Sequence, residues 1–128
     1  MNSLLEGRRI LVVEDETMIL IMIENMLDDL GCRDVTSAGT VENALLEIET
    51  RTFDGAMLDM NLHGIDSRDV ADSLASHGVP FVYSTGNCYR ETRDGFCERD
   101  VLRKPFSFDQ LTSALTGLMP RTSGRAAT

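Results

Sequence analysis

The stretch RRILVVEDE, residues 8–16, passes directly from the apolar run Ile10–Val13 into the carboxylates of Glu14, Asp15 and Glu16. A continuous apolar run of this length predicts a short strand that is buried on both faces. Two carboxylates about 4 Å apart repel each other by about 4 kcal/mol at an effective dielectric constant of about 20. Acids at the end of a buried strand therefore indicate a compensating partner, such as a divalent cation or a lysine, unless they splay into water.

The composition is typical of one globular domain, with 128 residues, of which 42% are hydrophobic and 26% are charged, and we expect a single hydrophobic core. The net charge of −9 argues against a nucleic-acid-binding surface, which needs a basic patch. Cys32, Cys88 and Cys97 lack C-x-x-C spacing, so neither a zinc site nor a disulfide framework is indicated. The apolar stretch 18–23 is too short to span a bilayer, and no cleavable signal opens the chain. We therefore expect a cytoplasmic protein without direct contact to nucleic acid or membrane.

Further strand-length apolar runs alternate with segments of helical spacing along the rest of the chain. The runs are Ala56–Leu58, Phe81–Tyr83, Val101–Leu102 and a weaker one around Val35. Helical spacing covers residues 19–30, 41–48, 70–74 and 111–118, and the segment 87–97 is the poorest helix. Helix ends are indicated by Gly31, by Thr40, by Asp66 or Ser67, and by the capping box of Ser107 and Gln110. This alternation predicts an α/β domain with a five-stranded parallel sheet, doubly wound, with helices on both faces.

Polar side chains follow several of these predicted strands. Glu14 and Asp15 follow the first strand, and Asp59 ends the strand in AMLDMNLHG. Thr85 lies in VYSTGN and Lys104 in VLRKPF, again where a strand ends. In open α/β sheets, sites form outside the carboxyl ends of the strands where the strand order reverses. We therefore expect these acids, the hydroxyl and the lysine to meet at one edge of the sheet.

This ordered set of residues resembles the receiver domain of bacterial two-component response regulators. The resemblance implies a flavodoxin-like receiver domain over residues 8–119, with an N-terminal lead-in at 1–7 and a flexible tail at 120–128. It also implies a stand-alone receiver in a phosphorelay, a monomer or weak dimer. The implied phosphoryl donor is a sensor histidine kinase or a histidine phosphotransferase, and the output is contact with a downstream protein. Such a protein is not an enzyme with a separate substrate, because it catalyses only its own phosphorylation and dephosphorylation.

The resemblance also implies a role for each site residue. Asp59 is the phosphoacceptor, whose carboxylate is the nucleophile that becomes an aspartyl phosphate. Mg²⁺ is bound directly by Asp15 and Asp59, together with the main-chain carbonyl of Asn61, and Glu14 acts through water. The cation on one side and Lys104 on the other neutralise the charge of the phosphoryl oxygens, and Thr85 hydrogen-bonds a third phosphoryl oxygen.

The sequence departs from the usual receiver pattern at two points. The stretch DMNLHG, residues 59–64, lacks the usual proline, so we expect a differently shaped loop after Asp59. Val101 lies three residues before Lys104, where receivers often carry an aromatic residue that responds to phosphorylation. We expect the signal to leave by another route, with Tyr83 and Tyr89 as candidates. The stretch PFVYSTGNCY is similar to the Phe-Ala-Thr-Gly motif of a subgroup of single-domain receivers that also lacks this aromatic residue.

Two other functions are compatible with parts of the pattern. A Toprim-like metal-dependent phosphoryl-transfer enzyme also carries a glutamate and later aspartates on an α/β sheet, but it needs an Asp-x-Asp pair where this chain has Asp59-Met60-Asn61. The second alternative is an unphosphorylated receiver-like interaction module, which would not need Asp59, Thr85 or Lys104.

The histidines and methionines are expected to be structural. His63 and His77 fall in or beside predicted loops, without the helical surface that a phosphorelay histidine needs. Met18, Met22 and Met26 are expected to fill the core.

Overall fold

A computed structural model describes residues 5–85, 101–103 and 106–118. The elements, in chain order, are β1 (Arg9–Val13), α1 (Thr17–Asp29), β2 (Asp34–Ala38), α2 (Val41–Thr50), β3 (Gly55–Asp59), β4 (Asn61–Leu62), β5 (Ile65–Asp66), α3 (Arg68–Ser76), β6 (Phe81–Thr85), β7 (Val101–Arg103) and α4 (Phe108–Leu118). The expected helix at 87–97 lies outside the described residues. No helix in the described part of the chain has the length and apolar character needed to span a membrane.

Five strands form one parallel sheet in the order β2-β1-β3-β6-β7, and β4 pairs with β5 in a separate antiparallel hairpin. The chain runs from β1 outward to β2 and then crosses to β3 on the other side of β1. Strand order therefore reverses between β1 and β3, where Val13 is in register with Leu58. This topology confirms the predicted five-stranded, doubly wound α/β fold, and it places the switch point at the carboxyl ends of β1 and β3.

The sheet separates the buried residues into two hydrophobic clusters, so the expectation of a single core was wrong. Successive side chains of a strand point to opposite faces of a sheet. Leu11 and Val13 accordingly pack with α2 and α3, whereas Ile10 and Val12 pack with α1 and α4. Both clusters are continuous, and together they cover the two faces of the central strands.

Three of the predicted helix ends are confirmed by their hydrogen bonds and dihedral angles. Thr40 Oγ1 accepts from the amide of Asn43 at 3.1 Å. Gly31, with φ of +87°, follows α1 in the left-handed conformation that commonly ends helices. Ser107 and Gln110 form the reciprocal capping box, with bonds of 2.8 and 3.1 Å between side chain and main chain.

Met18 contradicts the expectation that the methionines fill the core, because it is 81% exposed. The buried stripe of α1 is set by Ile23 and Leu27, and Met18 lies in the first turn of the helix, away from that stripe. Met22 and Met26 are partly buried and pack against the cluster that contains α1, in line with the expectation.

Two residues outside the regular elements complete this cluster. Leu5, from the predicted lead-in, is fully buried, and its amide donates to Leu30 O at 3.0 Å. Cys32 is a buried free thiol whose Sγ lies 3.5 Å from Arg8 O. Burial raises the pKa of the Cys32 thiol, which keeps it protonated and unreactive.

Candidate functional site

Three carboxylates meet at the carboxyl ends of β1 and β3. Glu14 and Asp15 follow β1, and Asp59 is the last residue of β3, the neighbouring strand. One carboxylate oxygen from each residue lies within 4.8 Å of the other two. Glu14 and Asp59 are buried, with exposures of 2% and 6%, whereas Asp15 is partly exposed. The predicted convergence of these three acids is therefore present in the structure.

Main-chain amides bind each of the three carboxylates. Glu14 Oε2 accepts from the amide of Glu16 at 3.2 Å, and Asp59 Oδ1 accepts from the amide of Asn61 at 3.2 Å. Asp15 Oδ2 accepts from the amide of His63 at 2.8 Å. At 4.8 Å each pair of charges still repels by about 3.5 kcal/mol at an effective dielectric constant of about 20. Carboxylate oxygens this close together are suited to a divalent cation, whose charge would offset the repulsion.

The chemistry of the donors fits a hard cation. All three side chains offer carboxylate oxygens, and oxygen ligands are those that Mg²⁺ prefers. Because Asp15 is partly exposed, the site is open to water on that side. This access suits Mg²⁺, which usually retains several water ligands when it is bound.

The loop after Asp59 is a β-hairpin, an element that the sequence reasoning missed. Leu62 is in register with Ile65, which leaves His63 and Gly64 as a two-residue turn. Their φ values of +53° and +83° are those of a type I′ turn. A two-residue loop with Gly at its second position is a recognised hairpin signal. The hairpin was missed because its strands have only two residues each, which is too short for alternating hydrophobicity to show.

Asp59 is also held through its main chain. Ser67 Oγ donates to the carbonyl oxygen of Asp59 at 2.6 Å, and Ser67 is fully buried. The amide of Met60 donates to Ser84 O at 3.1 Å, which links the end of β3 to β6. Ser67 was predicted only as a candidate helix cap. It does precede α3, but its hydroxyl bonds to Asp59 and not to a helix amide.

The remaining predicted site residues are described only in part. Asp59 is in register with Ser84, so the backbone of Thr85, the last residue of β6, lies at the same edge of the sheet. Lys104 lies outside the described residues, as does Tyr89. Tyr83, proposed from sequence as a signalling residue, is fully buried, and its ring packs edge-on against Phe81 at 5.5 Å. Tyr83 is therefore a core residue in this conformation.

The family model for the response regulator receiver domain matches residues 10–116. Among curated relatives, the sensor histidine kinase GacS of Pseudomonas protegens is 30% identical over 129 residues, and the match covers 91% of this chain and 14% of GacS. The response regulator PhoP of Pseudomonas aeruginosa is 30% identical over 122 residues, with 91% of this chain and 53% of PhoP covered. The chain thus spans about half of the length of PhoP and a small part of the length of GacS.

Solved receiver structures superimpose closely on the chain. SdrG from Sphingomonas melonis Fr1 is 40% identical with a TM-score of 0.78, and the match covers 91% of this chain and 98% of SdrG. The receiver domain of the sensor histidine kinase PA1611 from Pseudomonas aeruginosa is 28% identical with a TM-score of 0.75, and 88% of this chain and 97% of that domain are covered. The PA1611 receiver domain carries a magnesium ion coordinated in its active site cleft.

Proposed function

Because the chain belongs to the response regulator receiver domain family of two-component signalling, we propose that it accepts a phosphoryl group on Asp59 in a Mg²⁺-dependent reaction. The observation that carries this proposal is the convergence of Glu14, Asp15 and Asp59 within 4.8 Å at the switch point of the sheet. Three mutually repelling acids at one edge of the sheet are costly to the fold, and binding of a cation would offset that cost.

The carboxylates hold the cation in this mechanism. Asp15 and Asp59 would hold it together with the main-chain carbonyl of Asn61, and Glu14 would act through water. When bound, magnesium supplies the positive charge that balances the equatorial oxygens of the phosphoryl group. The magnesium ion in the active site cleft of the PA1611 receiver domain supports this assignment.

Asp59 performs the chemical step as a nucleophile. A carboxylate oxygen attacks the phosphorus, and the new O–P bond forms while the P–N bond of the donor phosphohistidine breaks. The electron pair of that bond returns to the imidazole nitrogen, which takes a proton from solvent. In this proposal Lys104 would neutralise charge on the phosphoryl oxygens, and Thr85 would hydrogen-bond one of them. The hydroxyl of Ser67 holds the main chain of Asp59, which helps to position the nucleophile.

The donor in this proposal is a sensor histidine kinase or a histidine phosphotransferase in the cytoplasm. The likeness to the sensor kinase GacS and to the response regulator PhoP supports a place in such a phosphorelay. Output through contact with a downstream protein is part of the same proposal. Because Tyr83 is fully buried, it transmits the signal only if the packing around β6 rearranges.

Intact-mass spectrometry tests the proposal. The protein and its Asp59→Asn variant are incubated with acetyl phosphate, with Mg²⁺ or with a chelator. We expect one added phosphoryl group, only with Mg²⁺ and only when Asp59 is present. Equal labelling of Asp59→Asn would show that the acceptor is wrong. Absence of both labelling and Mg²⁺ binding would favour the unphosphorylated interaction module.

A further inference from the structure

The His63 backbone has a conformation that side chains rarely adopt. Among the described residues it is the one non-glycine with a positive φ, at +53°. It occupies the first position of the type I′ turn between β4 and β5, where Asn is preferred and where His is also tolerated, because His is enriched with Asn and Asp at positive φ. The turn therefore accepts a histidine without requiring one.

The contacts of His63 supply another reason for its presence. Its amide donates to Asp15 Oδ2 at 2.8 Å, and its ring atom Nδ1 lies 3.4 Å from the same oxygen. One residue thus contacts one carboxylate oxygen twice, from the main chain and from the side chain. The ring is 65% exposed, so its place beside Asp15 is not imposed by core packing.

The same hairpin also contacts Asp59. The amide of Asn61 donates to Asp59 Oδ1 at 3.2 Å, and Asn61 Oδ1 accepts from the amide of Gly64 at 2.8 Å, which closes the turn. The hairpin of β4 and β5 therefore holds two carboxylates, that of Asp15 after β1 and that of Asp59 at the end of β3. The turn places His63 against Asp15 while Asn61 engages Asp59.

We propose that His63 is a positioning residue of the metal site, which restricts the rotation of the Asp15 carboxylate so that it is oriented for the cation before the cation binds. This inference rests on the proposed Mg²⁺ site. Ligand carboxylates are commonly oriented by hydrogen-bonding partners that do not touch the metal, and loss of such a partner typically weakens metal binding 10- to 100-fold. The contact of 3.4 Å between Nδ1 and the carboxylate oxygen is an ion-pair distance and not a hydrogen bond, so we expect an effect at the lower end of this range.

The test uses two variants that retain the turn. His63→Asn and His63→Gly both tolerate a positive φ and both keep the main-chain donor, so they remove only the ring. His77→Asn is the matched control, because His77 is the exposed C-cap of α3, and its ring contacts Ser73 O. Calorimetric titration with Mg²⁺ gives the Kd at one fixed pH, and thermal unfolding in chelator gives the stability of the metal-free protein.

We expect Kd for Mg²⁺ to rise about tenfold in both His63 variants and to stay within about twofold in His77→Asn. Because Asn and Gly suit this turn, the midpoint temperature of unfolding in chelator should stay equal or rise. If His63 had only a structural role, its replacement would lower that temperature. Unchanged or tighter Mg²⁺ binding in the His63 variants would overturn the proposal.

Failure of this inference and failure of the proposed function give different results. If the unmodified protein binds Mg²⁺ and accepts a phosphoryl group, while the His63 variants bind Mg²⁺ equally well, the role of His63 alone is refuted. If the unmodified protein neither binds Mg²⁺ nor labels with acetyl phosphate, both are refuted.

Discussion

Replacing Asp59 by Asn should stabilise the protein when no metal is present. The change removes two repulsions, with Glu14 and with Asp15, across distances of at most 4.8 Å. Each repulsion is about 0.9 kcal/mol in bulk water and about 3.5 kcal/mol at an effective dielectric constant of about 20. Because Asp15 is partly exposed and therefore screened, and because the substitution also removes the favourable interactions of the Asp59 charge, we expect a net gain of about 2 kcal/mol, near the sum of the two repulsions in bulk water. The amide oxygen of the variant can still accept the bond from the amide of Asn61.

Urea unfolding in chelator and in saturating Mg²⁺ measures this effect. A ligand at about 100 times its Kd stabilises the folded state by about 2.7 kcal/mol, so Mg²⁺ should stabilise the unmodified protein strongly. The Asp59→Asn variant lacks a direct ligand and should gain much less. Asp72→Asn, on the exposed side of α3, controls for removal of a charge outside the cluster. The reasoning is refuted if Asp59→Asn is less stable than the unmodified protein in chelator, or if Mg²⁺ stabilises both proteins equally.

Three other predictions concern single residues. Ser67→Ala removes the 2.6 Å bond to Asp59 O and should destabilise the protein by about 1–2 kcal/mol in urea unfolding, with slower labelling by acetyl phosphate; unchanged stability would show that the bond is dispensable. Gly64→Ala should lower the free energy of unfolding by about 1 kcal/mol. The cause is the φ of +83° alone, because nothing lies within 4 Å of the added Cβ, and an unchanged free energy in urea unfolding would contradict the type I′ turn. Cys32 should resist iodoacetamide in the folded protein and react after unfolding, as measured by peptide mass; rapid native labelling would contradict its burial.

Most of the fold could be predicted from local patterns in the sequence. Continuous apolar runs marked the central strands because these strands are buried on both faces, and Thr40 and Gly31 marked helix ends through their own chemistry. The meeting of Glu14 with Asp59 could also be predicted, because the carboxyl ends of neighbouring parallel strands lie at one edge of the sheet. The roles of Thr85 and Lys104 stay predictions.

The features that the sequence did not reveal depend on tertiary placement. The bond from Ser67 to Asp59 O requires α3 to begin directly beneath the end of β3, which no local pattern encodes. The contact between His63 and Asp15 joins residues 48 positions apart through a hairpin whose strands are only two residues long. The exposure of Met18 depends on the rotation of α1 against the sheet, and apolar residues in a first turn do not define that rotation.

The most direct test of the central claim is to locate the phosphoryl group on the chain. After labelling with acetyl phosphate and Mg²⁺, hydroxylamine converts an acyl phosphate into a hydroxamate with release of phosphate, and peptide mass spectrometry identifies the modified residue. We predict a hydroxamate at Asp59 and at no other acid. A hydroxamate at Glu14 or Asp15, or a phosphoryl group that resists hydroxylamine, would contradict the proposal that Asp59 is the phosphoacceptor.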